Sequence, residues 1–489
     1  MRKLSSVAIS LIAISAISAC GNLPKGSEYQ RPAALSPASL PASLPAGAAA
    51  SANTTTPVDL VQWWKAFQDP VLDAYMAEAT ANSQDLVLAS ARIAEARATW
   101  AQNEANFYPS VDLNAGATRR RASQNSATYS PVLGSYSNDR QLGLSASYEI
   151  DFWGKFASAD KAARARTLNQ EANRSTVLIS LYANVAQSYF ALRALDAQGT
   201  LAEQTLATRQ ETLRLQNRRF EGGVIGEIDF RQAQAEAAAA QATLLTVQQN
   251  RSNAESALAL LLGRPAAGIV QPQLARGADL LALYAHQAVP ANLPSDLLDR
   301  RPDLLAAEQT LIAANADIAQ ARSAYFPRIS LTAALGEQSK DLSTLLNPAS
   351  LFWNMVGNLT QPVFRAGAID ALVGAANARE QQAVAQYTQA VQSAFRDVHD
   401  ALNNVSAGRE LNLSIAQRIE ALRTTLRLAD LRYKNGYTSY LEVLNAQRDL
   451  AQAESGLVDV QRAQLNAVVA LYKAVGGGFE GAKSSGNGK

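Results

Sequence analysis

Residues able to carry nucleophilic, metal or acid–base chemistry are few in this 489-residue sequence. It holds one cysteine, Cys20, and two histidines, His286 and His399. A metal cluster, a Cys/His dyad or a His-based triad needs more of these side chains than that. The stretch "GGVIG" starting at Gly222 falls between two helical patterns and not after a strand, so it is no phosphate loop. Most carboxylates recur at helical spacing, where they are solvated faces. Two acids stand apart by position: Asp229 follows the turn in "RRFEGGVIGEIDF", and Glu442 follows the turn in "RYKNGYTSYLEV". Acids so placed can attract cations around a narrow pore or complement the positive end of a helix. Nothing in this set supports an enzyme.

The two turns are copies of one another. Arg219-Phe220-x-x-Gly223 lies over Arg432-Tyr433-x-x-Gly436, Ile228-Asp229-Phe230 over Leu441-Glu442-Val443, and Gln234 over Gln447, all at an offset of 213 residues. Gly222, Gly223 and Gly436 mark the turns, and Gly223 and Gly436 permit backbone conformations closed to other residues. Earlier in each copy, Asp85-Leu86 matches Asp303-Leu304 and Phe107-Tyr108-Pro109 matches Tyr325-Phe326-Pro327, at an offset of 218. Repeats of this length indicate a duplicated domain, with halves at 59–275 and 276–478. Each half runs helix, aromatic-aromatic-Pro, polar/apolar alternation, long helix, Gly turn, long helix. The turns fall near 221–227 and 434–440, and 479–489 reads as a flexible tail.

The helices that must hold these turns are unusually long. Lys155 to Arg219 has no proline and one glycine, Gly199, and Ala375 to Asn435 has no proline and only Gly408. Some 65 residues of helix make a rod on the order of 100 Å. Ile415, Ile419, Leu422, Leu426, Ala429 and Tyr433 alternate at the heptad spacing of a coiled coil. A simple dimeric or filamentous coiled coil would fit that stripe, but not the strands. Alternation of period two predicts strands at about 110–121, 139–152, 328–337 and 350–362, the last less regular. Their length suits a transmembrane β-strand of about 9–11 residues, although soluble sheets alternate in the same way. The loops between them, Ala122–Asn138 and Gln338–Ser350, are rich in Ser, Asn and Pro.

Composition agrees with an exported helical protein. The chain is 48% hydrophobic, much of it alanine, with 44 basic and 42 acidic residues. "MRKLSSVAISLIAISAISAC" has a basic start and an apolar run from Val7 to Ile17, too short to span a bilayer and right for a secretion signal over 1–19. Without Arg2 and Lys3 the balance is 42 to 42, which gives no reason to invoke nucleic acid. An exported chain with one cysteine cannot form an internal disulfide. Ile17-Ser18-Ala19-Cys20 resembles a bacterial lipobox, in which the cysteine becomes the lipidated N-terminus; an unmodified cysteine in a cleavage region is the alternative. Gly21 follows in place of an inner-membrane-retaining Asp, which favours outer-membrane sorting. Residues 20–58, Pro/Ala/Ser-rich from Pro32 on, then read as anchor and tether.

Together these stretches resemble the outer-membrane factor family, the TolC-like channels of tripartite efflux systems, and are most similar to its NodT-type lipoproteins. "WWKAFQDPVLDAYMAEATANSQDL", "YEIDFWGK", "RRPDLLAAEQTLIAANADI", "QPVFRAG" and both turn motifs carry the likeness over nearly the whole mature chain. The resemblance implies a mixed α/β membrane channel: a homotrimer in which each chain gives four strands to a twelve-stranded outer-membrane β-barrel, continued by a hollow periplasmic α-barrel of helices. Four strands alone cannot close, and an open edge is not tolerated in lipid, which requires other copies independently. It implies a passive duct for small molecules such as drugs or toxic compounds, partnered by a periplasmic adaptor and an inner-membrane pump, with no cofactor beyond the lipid on Cys20. It places the family's constricting acids on Glu442 and Asn445, the latter departing from the acid often found there, with Arg432 and Tyr433 able to tie to a neighbour's acid and Asp229 as the first-copy counterpart. A first-turn residue serving only the helix dipole is the other reading of Glu442. A periplasmic adaptor or scaffolding lipoprotein is the alternative function, although one hairpin inserted in compact β domains would be expected of it.

Overall fold

The computed structural model describes residues 60–127, 129, 131–286, 301–477 and 479. The signal segment, Cys20, the tether and nearly all of the C-terminal tail lie outside the described residues. The chain divides into two compact units, each drawn from both halves of the sequence: one from Ile93–Gln170 and Ala307–Tyr387, the other from 60–92, Glu171–Ala306 and Thr388 onward.

The elements run α1 (Pro70–Asn82), α2 (Gln84–Glu104), β1 (Ser110–Arg121), β2 (Tyr136–Glu149), α3 (Lys155–Glu221), α4 (Glu227–Leu261), α5 (Ala266–Val270) and α6 (Leu280–Ala285). After the undescribed stretch come α7 (Pro302–Arg322), β3 (Arg328–Ser339), β4 (Leu351–Thr360), α8 (Ala368–Lys434) and α9 (Tyr440–Ala474). Helices α3 and α8 each hold 67 residues and α4 and α9 each 35. Their eight boundaries pair at the same 213-residue offset that the turn motifs show. No described helix is long and apolar enough to cross a membrane.

The first unit is organised by one antiparallel sheet in the order β1-β2-β3-β4. Its register sets the faces. Leu113 pairs with Leu144, Leu144 with Leu335, and Leu335 with Trp353, so the apolar set lies in line across all four strands. Asp112, Ser145 and Asn114 alternate onto the opposite face, where Asn114 Nδ2 donates to Ser145 Oγ at 2.7 Å. Both faces stay open: β1 is exposed at every position, Leu113 by 71% and Trp353 by 74%. Water-facing leucine and tryptophan in such a row are what a sheet built for lipid presents. Gly143 and Gly336 face each other across β2 and β3, where a Cβ on Gly143 would stand 2.8 Å from the Leu335 carbonyl.

Three of the four strands have bounds that differ from the alternation pattern. Strand β2 occupies Tyr136–Glu149, not 139–152, because after Ile150 the chain turns through Gly154 at φ 71° to start α3. Strand β3 runs on to Ser339, paired with Arg140. Strand β4 stops at Thr360, before Gln361-Pro362, since proline offers no N–H to a ladder. At the helical end of the sheet, Trp153 stacks on Phe326 at 4.7 Å and donates Nε1 to the Pro327 carbonyl at 2.7 Å, tying the two strand-to-helix junctions together.

The second unit carries the core. Asp69 caps α1, its Oδ1 accepting from the Val71 and Leu72 N–H groups at 2.9 and 3.4 Å, with Pro70 at the first helical position. The short turn before it buries Trp63, Trp64 and Phe67. Trp63 stacks on Tyr472 at 5.2 Å, Trp64 meets Tyr182 at 4.4 Å and Phe67 meets Phe190 at 5.0 Å. Asp69 also accepts from the Tyr189 hydroxyl at 2.5 Å and the Ala278 N–H at 3.0 Å. Burial, followed by that carboxylate, pushes the Tyr189 phenol far above its ordinary range, so it stays a donor. Arg301, 7% exposed, sits one residue before α7 and joins three elements. Its guanidinium donates to the Ala474 carbonyl at the end of α9 at 3.0 Å, to Asp303 at 2.8 Å and to Asp397 of α8 at 3.3 Å.

Candidate gate at the hairpin tips

The tips are built by the same backbone device twice. At the end of α3 the Gly223 N–H donates to the Phe220 carbonyl and the Val224 N–H to the Arg219 carbonyl; at the end of α8 Gly436 donates to Tyr433 and Tyr437 to Arg432. This double closure needs a left-handed residue after the helix, and Gly223 and Gly436 supply it at φ 71° and 74°. Gly222 is not in that region and completes the turn beside it. The return helices start after Gly226 and Ser439 in extended conformation, neither using a side-chain cap. Asp229 and Glu442 therefore occupy the equivalent first-turn position of α4 and α9.

The acids differ in what surrounds them. Arg432 Nη1 lies 3.4 Å from Glu442 Oε1, across the turn of a single hairpin. The Thr438 hydroxyl also donates to Glu442, holding the carboxylate over the helix start. Both members of the pair are largely solvated, with side chains 58% and 43% exposed. Asn445 is exposed on the next turn of α9. At the first tip Arg231 pairs with Glu227 at 3.1 Å, on the turn that also holds Asp229.

Tyr433 points to the first hairpin, not toward an acid. Its hydroxyl accepts from Gln216 Nε2 at 3.1 Å and Arg219 Nη1 at 3.0 Å, and the Arg219 guanidinium lies over its ring at 5.7 Å. Tyr433 in turn packs on Tyr440 at 5.8 Å, above a small buried cluster of Ala233, Ala429, Val443, Leu444 and Ala446. Burial raises the Tyr440 phenol above its usual value. The heptad stripe expected from sequence is the covered one: Ile419 and Ala429 are buried and Ile415, Leu422, Leu426 and Tyr433 half-buried.

A second layer, farther from the tips, escaped the sequence reading. Arg209, 5% exposed, donates to Gln447 and stands 3.8 Å from Glu236, which also receives Arg448 Nε at 3.0 Å. One carboxylate thus joins α3, α4 and α9. Gln234, the sequence counterpart of Gln447, instead accepts from Arg231 of its own helix at 3.0 Å. That the two glutamines differ in task was hidden by their identical spacing. Of the other chemistry-capable residues, His286 Nδ1 lies 2.7 Å from the Ala282 carbonyl, and His399 stands beside Asp400 at 3.3 Å. No group of three metal-ligating side chains occurs among the described residues.

What the geometry offers is a pair of tied helical hairpins and, in the other unit, a sheet with one wet and one greasy face. The family model described as outer membrane efflux protein matches residues 76–264 and 293–477. The cation efflux system protein CusC of Escherichia coli is 34% identical over 469 residues, covering 95% of this chain and 97% of its own. A probable outer membrane lipoprotein of Salmonella typhimurium, SilC, is 32% identical over 483 residues, 98% of this chain and 100% of its own. Among solved structures, the Campylobacter jejuni CmeC outer membrane channel superposes with a TM-score of 0.82 at 27% identity, over 88% of this chain and 90% of that one.

Proposed function

The chain belongs to the outer membrane efflux protein family and is an outer-membrane efflux channel; from that premise we propose that three copies form the passive exit duct, with Glu442 as its periplasmic constriction. The carrying observation is the sheet. Its order leaves β1 and β4 each with one unpaired edge, and its apolar face is open along all four strands. Lipid does not accept free edges, so the edges pair with those of further copies, and three chains give twelve strands.

In this reading the polar face lines the pore and the hairpins extend it into the periplasm, where an adaptor joins it to an inner-membrane pump. The duct itself does no chemistry on its cargo, and the energy enters at the pump. Cargo is small solutes chosen upstream, and Cys20 carries lipid that holds the N-terminus at the same membrane. Three Glu442 carboxylates around the axis would favour cations, each held in place by Arg432 across the turn of its own hairpin. Purified full-length protein in planar bilayers tests this directly. Discrete cation-preferring steps from a detergent-stable trimer are expected; a trimer without conductance, or a conducting monomer, overturns it.

A further inference from the structure

The far end of the sheet breaks its own pattern. Along β1 the odd positions Val111, Leu113, Ala115 and Ala117 share the apolar face, and the next two on that face are Arg119 and Arg121. The register carries the same face onto β2, where Tyr136 stands opposite Arg121 and Arg140 opposite Ala117. Three arginines therefore lie on the lipid-facing side, not the pore-facing side, at the end where the strands meet their loops. Arg120 takes the other face. We infer that this cluster binds the phosphate groups of the phosphorylated saccharide lipid of the outer leaflet, fixing that lipid against the barrel wall. The inference rests on the reading of the sheet as the membrane-spanning part of an outer-membrane channel.

Several observations point to an anionic occupant. The Arg119 and Arg121 guanidinium groups lie 5.5 and 5.6 Å from the centroid of the Tyr136 ring, whose residue is 58% exposed. Arg140 donates Nη1 to the Lys340 carbonyl at 2.6 Å. A ring and a backbone carbonyl carry no neutralising charge, so the positive charge remains available. The acid on this face, Glu337, lies opposite Leu142, one pair deeper than Arg140 and Ser339. Asp139 sits on the other face, taken up by Gln338 Nε2 at 2.9 Å. Planar guanidinium forks match phosphate oxygens in pairs, which lysine cannot do. Arginine on a lipid face costs least where it reaches the headgroup level, and there it meets phosphate. A tyrosine beside two of them suits the same boundary, with its ring in the apolar layer and its hydroxyl in the polar one.

The test compares full-length wild-type protein with the triple variant Arg119→Gln, Arg121→Gln, Arg140→Gln, both purified in detergent. Each is offered hexa-acylated lipid A carrying both phosphates, the same lipid stripped of phosphate, or phosphatidylglycerol, and bound lipid per chain is measured by native mass spectrometry. Wild type should retain phosphorylated lipid A, and the triple variant should lose at least about tenfold of that affinity. Arg120→Gln, on the other face, should bind as wild type, and the triple Arg→Lys variant should bind between the two, which guards against a folding defect. Equal retention by wild type and the glutamine variant, or equal binding of the phosphate-free lipid, overturns the inference. Phosphatidylglycerol binding as tightly as lipid A overturns the assignment to the outer leaflet. Channel conductance recorded on the same preparations separates the two levels: loss in the wild type itself would sink the channel reading instead.

Discussion

Arg432 and Glu442 face each other across one turn of one chain, with Nη1 and Oε1 3.4 Å apart, while Tyr433, the very next residue, reaches over to Gln216 and Arg219 of the other hairpin. Neighbouring residues thus hold different joints. The first closes a hairpin on itself, and the second ties two hairpins side by side.

Removing the first joint should loosen the constriction. An exposed ion pair of this kind contributes under about 1 kcal/mol, but three acting on one two-state gate shift its populations several-fold. Glu442→Ala should raise single-channel conductance in planar bilayers and lower cation preference, and Arg432→Ala should raise conductance alone. Asp229→Ala should change neither by much. Conductance and selectivity both unmoved in Glu442→Ala would reduce Glu442 to a helix-start residue.

The second joint is buried on one side. Gln216 is 1% exposed, so Tyr433→Phe strips the acceptor from an amide that water cannot reach. A cost of about 1–3 kcal/mol follows, read as a lower melting temperature and faster limited proteolysis between the hairpins. A variant with wild-type melting and cleavage would show that this hydroxyl holds nothing.

Backbone strain gives a third test. A Cβ on Gly223 or Gly436 meets nothing within 4 Å, so substitution there acts through φ alone. Gly223→Ala and Gly436→Ala should each destabilise by about 1–2 kcal/mol, and Gly222→Ala by less. Equal effects at Gly222 and Gly223 in chemical denaturation would contradict the left-handed turn.

Arg301→Met breaks the bonds to α7, α8 and α9 at once. Asp303 and Asp397 keep more than a third of their side chains in water, which places the loss near the low end for a broken buried pair, about 3 kcal/mol. The Ala474 carbonyl also loses its donor. The outer-membrane level of the variant should fall on immunoblots while its residual molecules still conduct. Undiminished level and melting temperature would mean that the three elements hold without this bridge.

Topology is open to labelling. Ser126 and Ser343 are exposed in the loops at the far end of the sheet. Ser126→Cys and Ser343→Cys, made with Cys20 retained, should react with an impermeant thiol reagent on intact cells, whereas Gly223→Cys and Gly436→Cys should not. The reverse pattern inverts the orientation.

The long helices were readable because each stretch leading into a turn has no proline and a single glycine, and because the two turns match each other. The apolar and polar faces of the sheet were readable from alternation. Where β2 ends was not, since the alternation gives no sign that Ile150, whose N–H donates to the Ile329 carbonyl at 2.9 Å, makes the last bond to β3 before the chain turns through Gly154. The partners of Tyr433 and Arg209 were also hidden. Gln216 and Gln447 lie more than two hundred residues away from them, and no local pattern says which helix faces of two hairpins will meet. The three arginines at the outer end of the sheet were visible as residues, but their face follows only from the pairing register.

The stacking of Trp63 on Tyr472 joins nearly the first described residue to the end of the last described helix. During export the chain reaches the periplasm N-terminus first, so the tryptophans arrive long before the surface that covers them exists. The core of that unit cannot close until α9 has been delivered, which makes its folding wait on complete translocation. Until then Trp63, Trp64 and Phe67 form a sticky leading segment that a holding chaperone must shield. A chain arrested before Tyr472 would have no route to the finished core, and its fate would be degradation.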